Sequence, residues 1–284
     1  MENGQPRSFK IRKIKEKVFL AATMLATLAA IVPLFSLLTY VVIKGISSIN
    51  LDFFLHCPVP VGESGGGMAN AMVGTFIIVS IGCLFSIPIG VLGGLWLAEW
   101  GKGKRGFYIR YAVDVMAGFP TIVFGIFAYM LFVLTMKRFS AIAGGFALAL
   151  VMLPYITKTT EEMVRMVPRS LKESALALGL PEWKVMIFVV LRSAWSGIFT
   201  GIMLAVARAA GETAPLLFTA FNNMYWNFRL DQPMASMTVQ IYNYAISPFE
   251  EWNNLAWAGS LTLVSIILFI TLFVRKFSRR VTYG

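Results

Sequence analysis

Six long apolar runs constrain the fold of this chain more than any other feature of its sequence. A membrane-spanning helix needs about 20 mainly apolar residues. Runs of this kind are predicted to span at 18–43, 71–97, 109–134, 141–157, within 184–218, and at 255–274. Only 14% of the 284 residues are charged, against about 25% in a soluble domain. The sequence therefore predicts an all-α, polytopic membrane protein with six transmembrane helices.

The basic residues indicate how the chain crosses the membrane. Twenty of the 25 Lys and Arg residues lie in the N-terminal tail, in segments 99–110 and 158–192, and at the C-terminus, whereas four lie in the segments between them. Because cytoplasmic loops are enriched in Lys and Arg, both termini are predicted to be cytoplasmic. Residues 1–17 are then a cytoplasmic basic tail and residues 18–284 a single transmembrane domain. This flanking role accounts for the net charge of +11 without a nucleic-acid partner.

One segment on the basic side is a polar island between apolar runs. Within it, Ser170 and Glu173 form the pattern S-x-x-E, which predicts a capping box at the start of a helix. Gly179 suits a left-handed cap at the end of the same helix. The two signals enclose about two turns, a length that is not stable alone in water. The short helix must therefore be held by the rest of the chain or by a partner.

The same short helix is predicted to carry an apolar face. Leu171, Ala175 and Leu178 repeat at i, i+4 and i+7, a spacing that places them on one side of a helix. This face is the expected contact with the neighbour that stabilises the helix.

Two charges lie within the fifth apolar run. Arg208 and Glu212 are four residues apart, so they share a helix face, and a charge at this depth costs roughly 2.5–3.5 kcal/mol on insertion scales. One interpretation is a buried ion pair that holds the bundle together. The other is the polar lining of an anion path, because the planar fork of arginine donates two parallel hydrogen bonds to an oxyanion. Pro215 predicts a bend near these charges, and Asp114 is predicted to pair with Arg110.

The polar island also carries a recognisable motif. Glu173-Ser174-Ala175, followed by Gly179 six residues after the Glu, resembles the EAA loop of ABC-transporter permease subunits. The motif continues at 189–192, where Arg192 stands in place of the family's Pro. In that family the loop forms a short cytoplasmic coupling helix that docks on the ATPase subunit. The resemblance therefore implies a coupling loop over 158–192, with coupling roles for Ser170, Glu173, Ala175, Leu178 and Gly179.

Three longer segments resemble one subgroup of this permease family. Residues 117–127, 207–221 and 240–259 are similar to phosphate-specific ABC permeases, and to the A-type of the two homologous permeases in such a system rather than to its C-type sister. In this family, paired Arg and Glu residues of the fifth span are implicated in phosphate passage. The resemblance thus assigns Arg208 and Glu212 to the substrate path, and the adjacent Thr213 is taken as a third candidate.

The resemblance also implies an assembly. It predicts the type I ABC importer permease (MetI-like) architecture, a heterodimer with a homologous C-type phosphate permease, an ATPase subunit dimer and a periplasmic phosphate-binding protein. ATP and Mg would be used by the partner ATPase, with no cofactor on this chain. The sequence agrees, because it lacks the pattern G-x-x-x-x-G-K-[ST] that holds nucleotide phosphates. The chain is therefore predicted to be a phosphate permease and not itself an enzyme.

Two other functions fit the same residues. A permease for another oxyanion, such as sulfate or molybdate, would use the same arginine. A proton-coupled secondary transporter would use Glu212 as its proton carrier, but it would leave the capped cytoplasmic helix without a role.

Overall fold

The computed structural model describes residues 7–60, 63 and 65–281, which form helices joined mostly by short segments. The helices are α1 (Arg7–Ile46), α2 (Leu51–Leu55), α3 (Ala69–Glu99), α4 (Gly103–Gly118), α5 (Thr121–Met136), α6 (Ala141–Arg165), α7 (Arg169–Ala177), α8 (Glu182–Ala210), α9 (Ala214–Leu217), α10 (Met237–Ala245) and α11 (Glu250–Val281). Segments Tyr129–Val133 of α5 and Val185–Leu191 of α8 are π-helical. No β-strand occurs in the described residues, and the predicted all-α class is confirmed.

The helices extend beyond the predicted spans. Helix α1 begins at Arg7, so residues 7–17 of the predicted tail continue the first span as helix, while residues 1–6 lie outside the described part of the chain. The fourth span, predicted to end at residue 157, continues to Arg165. Five helices in the described residues, α1, α3, α6, α8 and α11, are long and apolar enough to cross a membrane.

The predicted third span is not one straight helix. Helix α4 ends at Gly118, α5 begins at Thr121, and the two axes differ by 102°. Phe119 is extended at the junction, with φ −72° and ψ 142°, because the ring of Pro120 disfavours helical geometry in the residue before it. The third apolar run of the sequence is thus a broken span.

The centre of the bundle is the contact between α3 and α6. Buried small residues recur every four positions along α3, at Gly82, Ser86, Gly90 and Gly94. Small residues let the backbones of membrane helices approach closely. At Gly94 the approach is so close that an added Cβ would lie 2.5 Å from the carbonyl oxygen of Thr157.

The other long helices surround this pair. Helix α8 packs against α6 and α11, and α5 packs against α6 and α9. Helix α1 contacts α11, where the Tyr40 ring meets Trp257 edge-on with centroids 5.1 Å apart. The remainder of α1 is almost entirely exposed. The bundle therefore leaves one whole membrane helix without neighbours along most of its length in this chain.

Candidate functional site

The first candidate site lies where α8 ends. The helix stops at Ala210, and the backbone N–H of Gly211 donates to the carbonyl of Arg208 at 3.0 Å. The prediction that Pro215 bends one continuous helix is wrong. Pro215 instead lies in the first turn of the separate helix α9. A backbone N–H in this turn has no intrahelical acceptor, so proline loses no hydrogen bond there. Glu212 accordingly sits in the break between two helices.

Arg208 is held on two sides and open on a third. Its Nε lies 3.7 Å from Oε1 of Glu212, so the predicted proximity of the two charges is confirmed. Its guanidinium carbon lies 4.6 Å from the ring centroid of Tyr155, a cation–π contact. The Arg208 side chain is nevertheless 50% exposed, whereas that of Glu212 is 15% exposed. The exposed part of the Arg208 side chain is available to an anion.

The break between α8 and α9 is also held by a hydrogen bond from α10. The hydroxyl of Thr238, on α10, donates to the carbonyl oxygen of Glu212 at 2.9 Å. Thr213 is half-buried directly beside it and precedes α9 without making a side-chain cap. The position of the acidic residue is thus fixed by α10 as well as by α8.

Tyr155 shows how deep the site lies. It is about 20 Å along α6 from Ala141 and about 15 Å from Arg165, at 1.5 Å per residue. Arg208, stacked on this ring, therefore lies near mid-height of α6. A half-exposed cation at that depth is costly against hydrocarbon. Such a residue is expected to face a partner subunit or a water-filled space.

The second candidate site is the short helix α7. Its N-cap is Pro168, with φ −59° and ψ 133°, and no side chain caps the first turn. The predicted capping box is wrong, because Pro168 starts the helix early enough that Ser170 already lies inside it. The predicted left-handed end is confirmed: Gly179 has φ +79°, and its N–H donates to the carbonyl of Leu176 at 2.9 Å.

The predicted apolar face of α7 is only partly buried against the rest of the chain. Ala175 is buried against its own chain, while Leu171 is exposed and Leu178 is 83% exposed. Two further large side chains near them, Met166 and Trp183, are also exposed. Ser170 and Glu173 are exposed as well. The inner side of α7 thus attaches to the bundle, and its outer side presents apolar groups that this chain leaves uncovered.

An ion pair ties α7 to the end of α3. The Lys172 Nζ lies 2.5 Å from Oε2 of Glu99, and both side chains are largely buried. Seventy-three positions separate the two residues, so no helical spacing in the sequence could indicate the contact.

A second group of charges joins α4 to α6. Glu161 is paired with Arg110 and with Arg165, each at 2.6 Å, and the Arg110 guanidinium also donates to two carbonyls that precede α4. Asp114 pairs with Lys158 at 2.6 Å. The predicted pair of Asp114 with Arg110 is therefore wrong, because longer-range partners on α6 take both residues.

Helix α8 is continuous from Glu182 to Ala210. Arg192 follows the π-helical segment with helical dihedrals, φ −64° and ψ −41°. A proline at this position would remove a backbone donor and strain the preceding turn. Arg192 instead allows Glu182 and Arg208 to lie in the same continuous helix.

Comparisons with known proteins identify relatives of this chain. A family model described as the binding-protein-dependent transport system inner membrane component matches residues 90–283. The chain is 41% identical over 278 residues to the phosphate transport system permease protein PstA of Haemophilus influenzae, with 98% of each chain covered. It is 36% identical over 269 residues to a probable phosphate transport system permease protein PstA of Methanocaldococcus jannaschii, with 93% of each covered.

Solved structures show the same fold. A chain of a bacterial alginate ABC transporter, crystallised with an alginate pentasaccharide-bound periplasmic protein, aligns with a TM-score of 0.63 at 16% identity, covering 96% of this chain and 98% of that one. A chain of the MetNI methionine ABC transporter, in an inward-facing conformation, aligns with a TM-score of 0.58 at 16% identity, covering 75% and 93%.

Proposed function

We propose, from the premise that this chain belongs to the family of binding-protein-dependent transport system inner membrane components, that it is the transmembrane permease subunit of an ATP-driven phosphate importer. It is a multi-pass inner membrane protein with the fold of ABC importer permeases. ATP hydrolysis takes place on a separate chain in this family, so the permease is not itself an enzyme. Relatives that bear the name of phosphate permeases match over nearly the whole chain, which supports phosphate as the cargo.

The observation that carries the proposal is the half-exposed Arg208 at mid-height of the bundle. Its fork can donate two hydrogen bonds to a tetrahedral oxyanion. Glu212, 3.7 Å away, competes for the same cation and so limits how tightly an anion is held. The exposed side of the pair would face the homologous C-type permease, and the path would run between the two permeases past Thr213.

The cytoplasmic side of the proposal rests on α7. Its exposed apolar residues, Leu171 and Leu178, suit a cleft in one subunit of an ATPase dimer that uses ATP and Mg. The positive-inside distribution supports cytoplasmic termini, and the proposal includes a single permease domain over residues 18–284. A periplasmic phosphate-binding protein would then deliver phosphate to the opposite face.

A reconstituted complex tests the cargo. The chain, co-purified with its partner permease and ATPase, should hydrolyse ATP several-fold faster when the binding protein and phosphate are both added. A response to sulfate or molybdate in place of phosphate would instead identify a permease for another oxyanion. The proton-coupled alternative loses its support because the family is ATP-driven; it would require uptake by this chain alone, driven by a proton gradient.

Gly179→Leu should weaken the association of the permease with its ATPase. Leucine at φ +79° is strained by about 1–2 kcal/mol, so α7 should end differently and Leu178 should leave its position. Co-purification of the ATPase measures the effect. Gly179→Asn is the matched variant, since Asn tolerates left-handed geometry better, and it should retain most of the association. Equal recovery of the ATPase with both variants would contradict a role for this helix end in docking.

A further inference from the structure

A cleft separates α7 from the ends of α3 and α6. Its volume is about 330 Å³, roughly the liquid volume of ten water molecules, and it is open to the cytoplasmic side proposed above. The charged residues that line it are Glu99, Lys102, Arg165, Arg169, Lys172 and Glu173. The space is large enough for a small hydrated ion between the coupling helix and the bundle.

The charges around the cleft are predominantly positive. Four cationic side chains line it against two carboxylates. Two of the cations have partners already, Lys172 with Glu99 and Arg165 with Glu161. Lys102 and Arg169 are exposed and form no ion pair within 4.0 Å among the described residues. These two cations, one in the turn between α3 and α4 and one in α7, are free to bind an anion.

The start of α7 also borders the cleft. Pro168 and Arg169, at the start of α7, are both lining residues. The first turn of a helix carries N–H groups without intrahelical acceptors and the positive end of the helix dipole. The cleft thus combines a helix start with two unpaired cationic side chains, a set of donors that suits a tetrahedral oxyanion.

We propose that this cleft binds a phosphate group, either free inorganic phosphate or the headgroup of an anionic lipid, and that its occupancy slows the transport cycle. The effect on the cycle rests on the proposed function, because it assumes that α7 couples the bundle to an ATPase. A phosphate bound between Lys102 and Arg169 would bridge the α3–α4 turn to the start of α7. These elements are otherwise tied by the Lys172–Glu99 pair. A ligand that binds this arrangement better than the others stabilises it, and so delays every step in which α7 must move.

The assembled complex in nanodiscs of zwitterionic lipid provides the test. ATP turnover is first stimulated by the binding protein loaded with phosphate, and free inorganic phosphate is then titrated into the millimolar range. Turnover of the native complex should fall at least threefold. In Lys102→Gln the half-inhibitory phosphate concentration should rise about fivefold, the effect expected for loss of one exposed charge. Each curve is scaled to the variant's own turnover without added phosphate.

Lys104→Gln is the matched control. It removes the same charge two residues away on the same turn and does not line the cleft, so its inhibition curve should coincide with that of the native complex. Product inhibition at the ATPase would affect both variants equally. Identical curves for Lys102→Gln and Lys104→Gln would therefore overturn the proposal.

Three further outcomes are decisive. Inhibition that appears only in discs containing phosphatidylglycerol, without added phosphate, and that Lys102→Gln relieves, would identify the lipid headgroup as the ligand. Loss of the ATPase from the Lys102→Gln complex would show instead that the cleft receives a partner protein, and would overturn the proposal. Absence of stimulation by the loaded binding protein would count against the proposed function, whereas normal stimulation with unaltered inhibition would count against the cleft alone.

Discussion

Uptake of phosphate by the assembled transporter should fall between 10-fold and 100-fold when Arg208 is replaced by Gln. The substitution removes the cation that is half-exposed at mid-height. Hydrogen bonds to a charged group contribute about 1.5–3 kcal/mol, and each 1.4 kcal/mol changes a rate about tenfold. Glu212 would remain without its neighbouring cation and would repel the anion further. Initial uptake of radiolabelled phosphate into proteoliposomes measures the effect.

Two matched variants separate charge from geometry. Arg208→Lys keeps the charge but loses the planar fork, so its uptake should lie between those of Arg208→Gln and the native chain. Arg192→Gln makes the same chemical change on the same helix, about 24 Å away, and should transport normally. All three should still co-purify with their partners. Normal uptake by Arg208→Gln in an intact complex would remove Arg208 from the path.

Gly94→Ala should lower the stability of the permease by about 1–3 kcal/mol, and Gly94→Leu should prevent its assembly. An added Cβ at Gly94 would lie 2.5 Å from the Thr157 carbonyl oxygen and 2.6 Å from Cβ of Thr160, so α3 and α6 would have to separate. Overpacking of this kind costs about 1–3 kcal/mol or more. Thermal unfolding in detergent and the yield of assembled complex measure the loss.

Gly93 is the natural comparison. It is the adjacent residue, and a Cβ there meets only the Thr157 methyl carbon at an ordinary 3.9 Å. Gly93→Ala should therefore stabilise α3 slightly, by about 0.5–1 kcal/mol, through the better helix propensity of alanine. If the two alanine variants unfolded at the same temperature, the close contact of α3 with α6 would not be the source of stability inferred from the structure.

The long helices were predictable because a single physical requirement dominates them. A helix needs about 20 apolar residues to cross the hydrocarbon core of a membrane, and each of the five unbroken spans meets this requirement. The angle of the break at Pro120 could not be predicted because apolar residues continue on both sides of it. Hydropathy reports burial in lipid and not direction, so a bend of 102° leaves the apolar run unchanged.

The candidate sites were partly predictable for a similar reason. Gly179 and the Arg208–Glu212 proximity depend on neighbours in sequence, and both were confirmed. The predicted start of α7 was wrong because two local signals compete there. Pro168 takes the N-cap position that the capping pattern favoured for Ser170. The pair of Lys172 with Glu99 depends on tertiary packing, which no local pattern encodes.

The right-angled turn at Pro120 restricts where lipid can surround this subunit. Gly118, Phe119 and Pro120 all lie at the break, where Phe119 and Pro120 are exposed, and irregular backbone at membrane depth is tolerated only against protein or water. Helix α5 starts at this turn and packs against α9. Its Gly125 contacts Pro215, which lies just beyond Glu212 in the sequence. The break and the arginine site are thus linked through this contact, and a partner subunit or water, rather than lipid, is expected to cover both. Acyl chains can cover α1 freely, but a companion subunit or solvent must seal the side that holds the charges.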